Sequence, residues 1–124
     1  MPTRLTIRFD FDGERRLGPG KIALLEAIEA TGSISAAGRR HAMSYRRAWL
    51  LVEELNQTFK APLVAAHLGG AGGGGARLTK TGARVVALYR AAERKMGAAA
   101  AAEIEAMEAD LAEPAAAPEA GDGR

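Results

Sequence analysis

From Thr31 to Asn56 the chain reads TGSISAAGRRHAMSYRRAWLLVEELN, and its stop and start residues leave few folds open. Thr31-Gly32 ends one helix, because a glycine adopts the left-handed backbone of a helix C-cap at little cost. Ser33 opens a second helix over Ile34 to Arg40, since its hydroxyl can accept from a free N–H of the next turn. Ala36, Ala37 and Gly38 make that helix small-sided, so a neighbour can approach closely. His41-Ala42-Met43 forms a turn with Met43 directed at the core, and Ser44 caps a third helix. Tyr45, Ala48, Val52, Leu55 and Phe59 recur at helical spacing and mark its buried face. Trp49 borders that face, while Arg46, Arg47 and Leu50 point elsewhere. Two short helices around a tight turn, the second opening on paired arginines, are the layout of a helix-turn-helix, whose second helix enters the DNA major groove.

The flanks fit one domain built around this motif. Leu5, Ile7, Phe9 and Phe11 alternate with Arg4, Thr6, Arg8 and Asp10, the period of a strand with one buried face, which Asp12-Gly13 ends. Asp10, Asp12 and Glu14 lack calcium-loop spacing and read as a solvated turn. Pro19 sits in the first turn of a helix that Ile22, Leu24, Leu25, Ala27 and Ile28 carry to about Ala30, with Glu26 and Glu29 on its other side. After Lys60-Ala61-Pro62, the segments Leu63–Leu68 and Ala76–Thr79 read as two strands joined by the glycine run 69–75. Two strands directly after a recognition helix make a winged helix. Gly70-x-Gly72-x-x-Gly75 matches a dinucleotide fingerprint by letter, but no helix follows it and no βαβ unit surrounds it.

Thr79 or Thr81 caps a last helix through Val85, Leu88, Tyr89, Ala92, Met96, Ile104, Met107 and Leu111, at spacings of three and four. A helix of about 30 residues is about 45 Å long, more than this body can cover, so these residues are expected to form a dimer seam. The expected division is a winged helix-turn-helix over 1–80, a dimerisation helix over 81–112 and a disordered acidic tail over 113–124. The fold class is mainly α with a small β component.

Charge is divided along the chain. Residues 1–95 hold 16 of the 17 Lys and Arg but 8 of the 15 Asp and Glu, a net +8; residues 96–124 carry −6. A basic body with an acidic tail points to double-stranded DNA as the body's partner. With no cysteine, thiolate metal sites and cysteine nucleophiles are excluded. The N-terminus lacks the apolar core of a signal peptide, and no run approaches membrane-spanning length, so a cytoplasmic protein is expected. His41 and His67 are the only histidines, and neither assembles with a nucleophile and an orienting group, so no enzyme is expected. Phosphate contacts fall to Arg39, Arg40, His41, Arg77 and Lys80, and base contacts to Arg46 and Arg47 with Tyr45.

GKIALLEAIEATGSISAAGRRHAMSYRRAWLLVEELNQ, then the glycine run and ARLTKTGARVVALYR, resembles the N-terminal DNA-binding domain of ModE-type molybdate-responsive transcriptional regulators, a LysR-like winged helix-turn-helix. The likeness runs from about Arg4 to Arg90, and SISAA, SYRRAW and LTKTG are its most specific pieces. It implies a homodimer on palindromic operators and control of molybdate-related genes. Ser33 and Ser35 would lie on the motif's first helix, Ser44, Tyr45, Arg46 and Arg47 would begin the recognition helix, and Gly72 to Gly75 with Arg77 would form the wing tip. Such regulators also carry C-terminal oxyanion-binding domains, for which 124 residues leave no room, so neither molybdate sensing nor any cofactor is carried over. Two other readings stand beside this one: a small oxyanion-binding protein using the amides of Gly70 to Gly75, and a helix-mediated protein–protein adaptor.

Overall fold

The computed structural model describes residues 3–70 and 73–114, with side chains omitted between Leu68 and Gly74. Its central element is α1 (Pro19–Thr31), which touches three other helices and one strand. Pro19 occupies the first turn, and the helix stops at Gly32, whose φ of 73° lets its N–H reach Ile28 O at 2.7 Å. Ile22, Leu24, Leu25, Ala27 and Ile28 are all buried, as their spacing requires. Two helices follow, α2 (Ile34–Arg40) and α3 (Tyr45–Thr58). Gly38 permits their close approach: a Cβ there would stand 3.1 Å from that of Ala48.

The buried face of α3 is shifted from the sequence expectation. Ala48, Val52 and Leu55 are buried, but Leu51 joins them, Phe59 is only partly covered, and Tyr45 is 57 % exposed. Tyr45 is the first residue of the helix, at its free end, whereas Leu51 lies nearly two turns inward.

The expected N-terminal strand is also shorter. Only β1 (Phe9–Asp10) pairs, antiparallel, with β2 (Arg16–Leu17). The chain enters α1 two residues after Leu17, so no partner remains for residues 4–8. Ile7 and Phe9 pack on the core, and Phe9 meets the Tyr89 ring edge-on at 5.9 Å, while Leu5 and Phe11 lie at the surface. The intervening acidic cluster is the expected turn: Asp12 accepts from the N–H groups of Glu14 and Arg15.

A second antiparallel pair, β3 (Val64–Gly70) and β4 (Gly73–Leu78), runs in register from Val64↔Leu78 to His67↔Gly75 before an irregularity. Both strands extend into the glycine run expected to be loop; Gly72, assigned to the wing tip, lies outside the described residues. The base of this hairpin is held on every side. The Asn56 side chain accepts from the N–H groups of Leu63 (2.8 Å) and Val64 (3.0 Å) and donates to Val64 O. Thr79 donates from its N–H to Leu63 O and from its hydroxyl to Pro62 O. On the other edge, Ala76 N–H donates to Gly32 O (2.9 Å) and Leu78 N–H to the Glu29 carboxylate (3.2 Å).

Thr79 then caps α4 (Lys80–Ala99). A Cβ on Gly82 would stand 2.1 Å from Leu63 O, so only glycine lets α4 start this close to the hairpin. Instead of one helix to residue 111, the backbone breaks at Ala100 and resumes as α5 (Ala101–Ala109). From Gly97 to Ala102 no side chain exceeds a methyl group, so no packing holds the two segments in line, and the Thr3 hydroxyl donates to the Glu108 carboxylate. Of the residues expected in a dimer seam, Tyr89 is 2 % exposed and belongs to the chain's own core, donating to Ile7 O at 2.6 Å. Val85 also packs on that core, and Ala92 and Ile104 are half-buried, whereas Leu88, Met96, Met107 and Leu111 are exposed. The acidic tail beyond Pro114 lies outside the described residues.

Replacing Gly82 by Ala is expected to cost about 1–3 kcal/mol, by overpacking against backbone. Gly97→Ala faces open space and is expected to gain about 0.5–1 kcal/mol through helix propensity. Urea unfolding of the two variants checks both signs.

Candidate nucleic-acid interface

The local sequence sets two helix starts and one strained turn. Ser33 accepts from Ala36 N–H and Ser44 from Arg47 N–H, each at 3.0 Å, so both expected caps form. Between them, Gly38 O accepts from the N–H groups of His41 and Met43. To close this turn Ala42 takes a φ of 56°, the left-handed region that costs a residue with a Cβ. Met43 packs toward the core as expected.

On α3, successive residues are about 100° apart, so Arg46 and Arg47 leave the helix in different directions. Arg46 points away from the buried stripe of Ala48, Leu51, Val52 and Leu55. Arg47 turns instead toward a groove lined also by Arg8, Arg15, Arg16 and Lys21. The adjacent arginines are therefore not interchangeable.

The groove is less basic than its residue names suggest, because its other cations are paired. Asp10 lies 3.0 Å from Arg8 and 3.5 Å from Arg16; Asp12 pairs with Arg15 at 2.6 Å, and Glu54 with Lys21 at 3.2 Å. The Arg15 guanidinium, with the N–H groups of Arg15 and Glu14, holds the Asp12 carboxyl down to about 2. Farther off, Arg90 forks onto Glu26 and reaches Glu93, tying α4 to α1. That hydrogen bonding lowers the Glu26 pKa and raises that of Arg90, so the pair stays charged. Among the described residues, by contrast, Arg39, Arg40, Arg46, Arg47, Arg77 and Lys80 form no ion pair, and all are exposed.

Ser33, Ser35 and Tyr45 come together in a cleft of about 330 Å³ between α2, α3 and the β3–β4 hairpin. Trp49 and His67 complete it, opposite Ala66, Gly75 and Ala76. Sequence reasoning had left both out of the site, although Trp49 follows Tyr45 by one helical turn; the rings meet edge-on at 6.1 Å. No sequence signal joins His67 to them, because the hairpin brings it there. Arg39 donates to the Ser35 hydroxyl at 2.8 Å and stands at the rim. Arg40 and the exposed His41 end α2, Arg77 lies on β4 opposite Ala65, and Lys80 opens α4, all outside the cleft lining.

Relieving the strain at the turn predicts that Ala42→Gly raises stability by roughly 0.5–1 kcal/mol, the left-handed penalty less glycine's greater unfolded-state entropy. A fall in thermal midpoint would place the strain elsewhere.

No family model matches the chain. It is 49 % identical over 78 residues to the molybdenum-pterin-binding protein MopB of Rhodobacter capsulatus, covering 63 % of this chain and 29 % of that protein. The molybdenum transport protein ModE of Azotobacter vinelandii is 42 % identical over 93 residues, 73 % of this chain and 34 % of the relative. The DNA-binding transcriptional dual regulator ModE of Escherichia coli K12 is 44 % identical over 71 residues, 57 % and 27 % of the two chains. The chain thus spans about a third of the length of the curated relatives it matches. Over that shared stretch the chain is a relative of the ModE and Mop molybdenum proteins.

Proposed function

We propose that this chain is a sequence-specific, DNA-binding transcription regulator of the winged helix-turn-helix type, acting as a homodimer on palindromic operators of molybdate-related genes. The observation that carries the reading is the division of charge. The protein neutralises the cations of the N-terminal hairpin and of the α1–α4 contact. Among the described residues it leaves exposed, without ion pairs, the cations on α2, the start of α3 and β4, together with Arg4, Lys60 and those along α4 from Lys80 to Lys95 other than Arg90. Unpaired arginines beside a capped helix start are what phosphate and base-edge contacts require. The Escherichia coli relative named as a DNA-binding regulator supports the same partner.

In this mechanism α3 enters the major groove with Arg46 directed at base edges. Arg47, beside its paired neighbours, contacts the backbone on one flank, and Arg77 and Lys80 contact it on the other. The β3–β4 hairpin is the wing. Exposed Leu88, Met96, Met107 and Leu111 supply apolar surface for a second copy. No reaction and no cofactor belong to this reading, and the groups it uses work while dissolved in the cytoplasm; among the described residues no helix is long and apolar enough to cross a membrane.

Selection of bound sites from random duplexes tests the proposal: an enriched inverted repeat is expected, with half-sites one helical turn or a multiple apart. Arg46→Ala is expected to cost about 1–3 kcal/mol and relax preference at one position. Lys80→Ala is expected to weaken all duplexes alike and lower the salt slope by about one. Binding that enriches no sequence, or an Arg46→Ala protein with unaltered preference, would overturn the assignment of α3.

A further inference from the structure

The cleft beside α3 differs in kind from the surface around it. Its lining carries no carboxylate, lysine or arginine, in a body whose residues 1–95 bear a net +8. One wall is aromatic, from Tyr45 and Trp49; the other is nearly side-chain-free, from Ala66, Gly75 and Ala76. The lining also holds three hydrogen-bonding side chains, Ser33, Ser35 and His67. The Ser33 and Ser35 hydroxyls act as acceptors toward Ala36 N–H and Arg39 respectively, so each retains its own proton to donate. His67 adds a ring N–H. The guanidinium of Arg39, fixed on Ser35, flanks the opening.

We infer that this cleft seats one deoxyribose and its phosphodiester from the DNA strand that passes between α3 and the hairpin, making Trp49 and His67 positioning residues for DNA. This rests on the DNA-binding reading and deepens it. A sugar's C–H surface suits an aromatic wall, whereas the charged phosphate oxygens need a cation that the lining lacks and so face outward, toward Arg39. The hydroxyls and the His67 ring N–H face the ester oxygens, and the rim arginine takes the charged ones. The narrow opposite wall lets a backbone enter, since a larger side chain than Ala66 would occupy the same space. Affinity gained from the Trp49 ring is indifferent to sequence and adds no counterion release, which at this site belongs to Arg39.

Trp49 is the chain's only tryptophan, so its emission reports this cleft alone. The full chain is titrated with the selected duplex while anisotropy of the labelled DNA records binding independently. Saturating DNA is expected to shield Trp49 from acrylamide quenching. His67→Ala and Trp49→Ala are expected to weaken binding several-fold to about tenfold, the scale of a buried aromatic contact, and Trp49→Phe to restore most of it. The salt slope should stay unchanged in both Trp49 variants, unlike Lys80→Ala. Normal anisotropy with unaltered Trp49 quenching, or wild-type affinity in His67→Ala, overturns the inference and leaves the DNA reading standing. Absence of any DNA binding sinks both.

Discussion

The contact between Gly82 and the carbonyl of Leu63 is the constraint on which the rest of the molecule depends. At that point the end of α3, the first residues of β3, the last of β4 and the first turn of α4 meet. Asn56 supplies the hydrogen bonds that a neighbouring strand would otherwise supply to Leu63 and Val64. Thr79 works in three directions, donating to Pro62 O and Leu63 O while accepting from Gly82 N–H. Backbone groups at a buried junction must be paired, and these two side chains do that for four elements at once. Move the junction and the hairpin leaves the side of α3.

Electrostatics adds a division of labour. Where arginines serve the fold, carboxylates lie within 3.5 Å: Arg8, Arg15 and Arg16 in the N-terminal hairpin, Arg90 between α4 and α1. Exposed pairs of this kind contribute little stability, but they remove positive charge from one side of the molecule. Among the described residues, the cations without a carboxylate partner include Arg39 and Arg40 on α2, Arg46 and Arg47 at the start of α3, Arg77 on β4, and Lys80, Arg84, Arg94 and Lys95 along α4. A net charge spread evenly over the surface would steer a polyanion to no particular face.

The helices were legible in the sequence because their boundaries are local. Gly32, Ser33 and Ser44 mark their own ends with backbone angles and hydroxyls that need no distant partner. The small faces of α2 and the interior of α1 followed from period alone. What escaped depends on the third dimension. Leu51 is buried while Tyr45, at the free start of α3, is not, which period alone does not tell. The strand at residues 5–11 shrank because alternation says nothing about whether a partner strand exists. Tyr89 looked like part of a seam at helical spacing, yet its hydroxyl is held by Ile7, 82 residues away. Of the candidate site, the cations were legible from composition and spacing; the pairing of Arg90 with Glu26 across 64 residues, and the meeting of Trp49 with His67, were not.

The hairpin is fastened at its base along both edges, to Asn56 on one side and to Gly32 and Glu29 on the other. Such a fastening means that the hairpin cannot swing from its base without breaking these bonds. The gap between the start of α3 and the strand at His67 is then a dimension of the molecule, like the opening of a fixed gauge. A surface presented to it either has a ridge of that width or does not fit. For a double helix, the partner we propose, groove width varies with the order of its bases, and an opening of set width would discriminate among sequences before any base edge is touched.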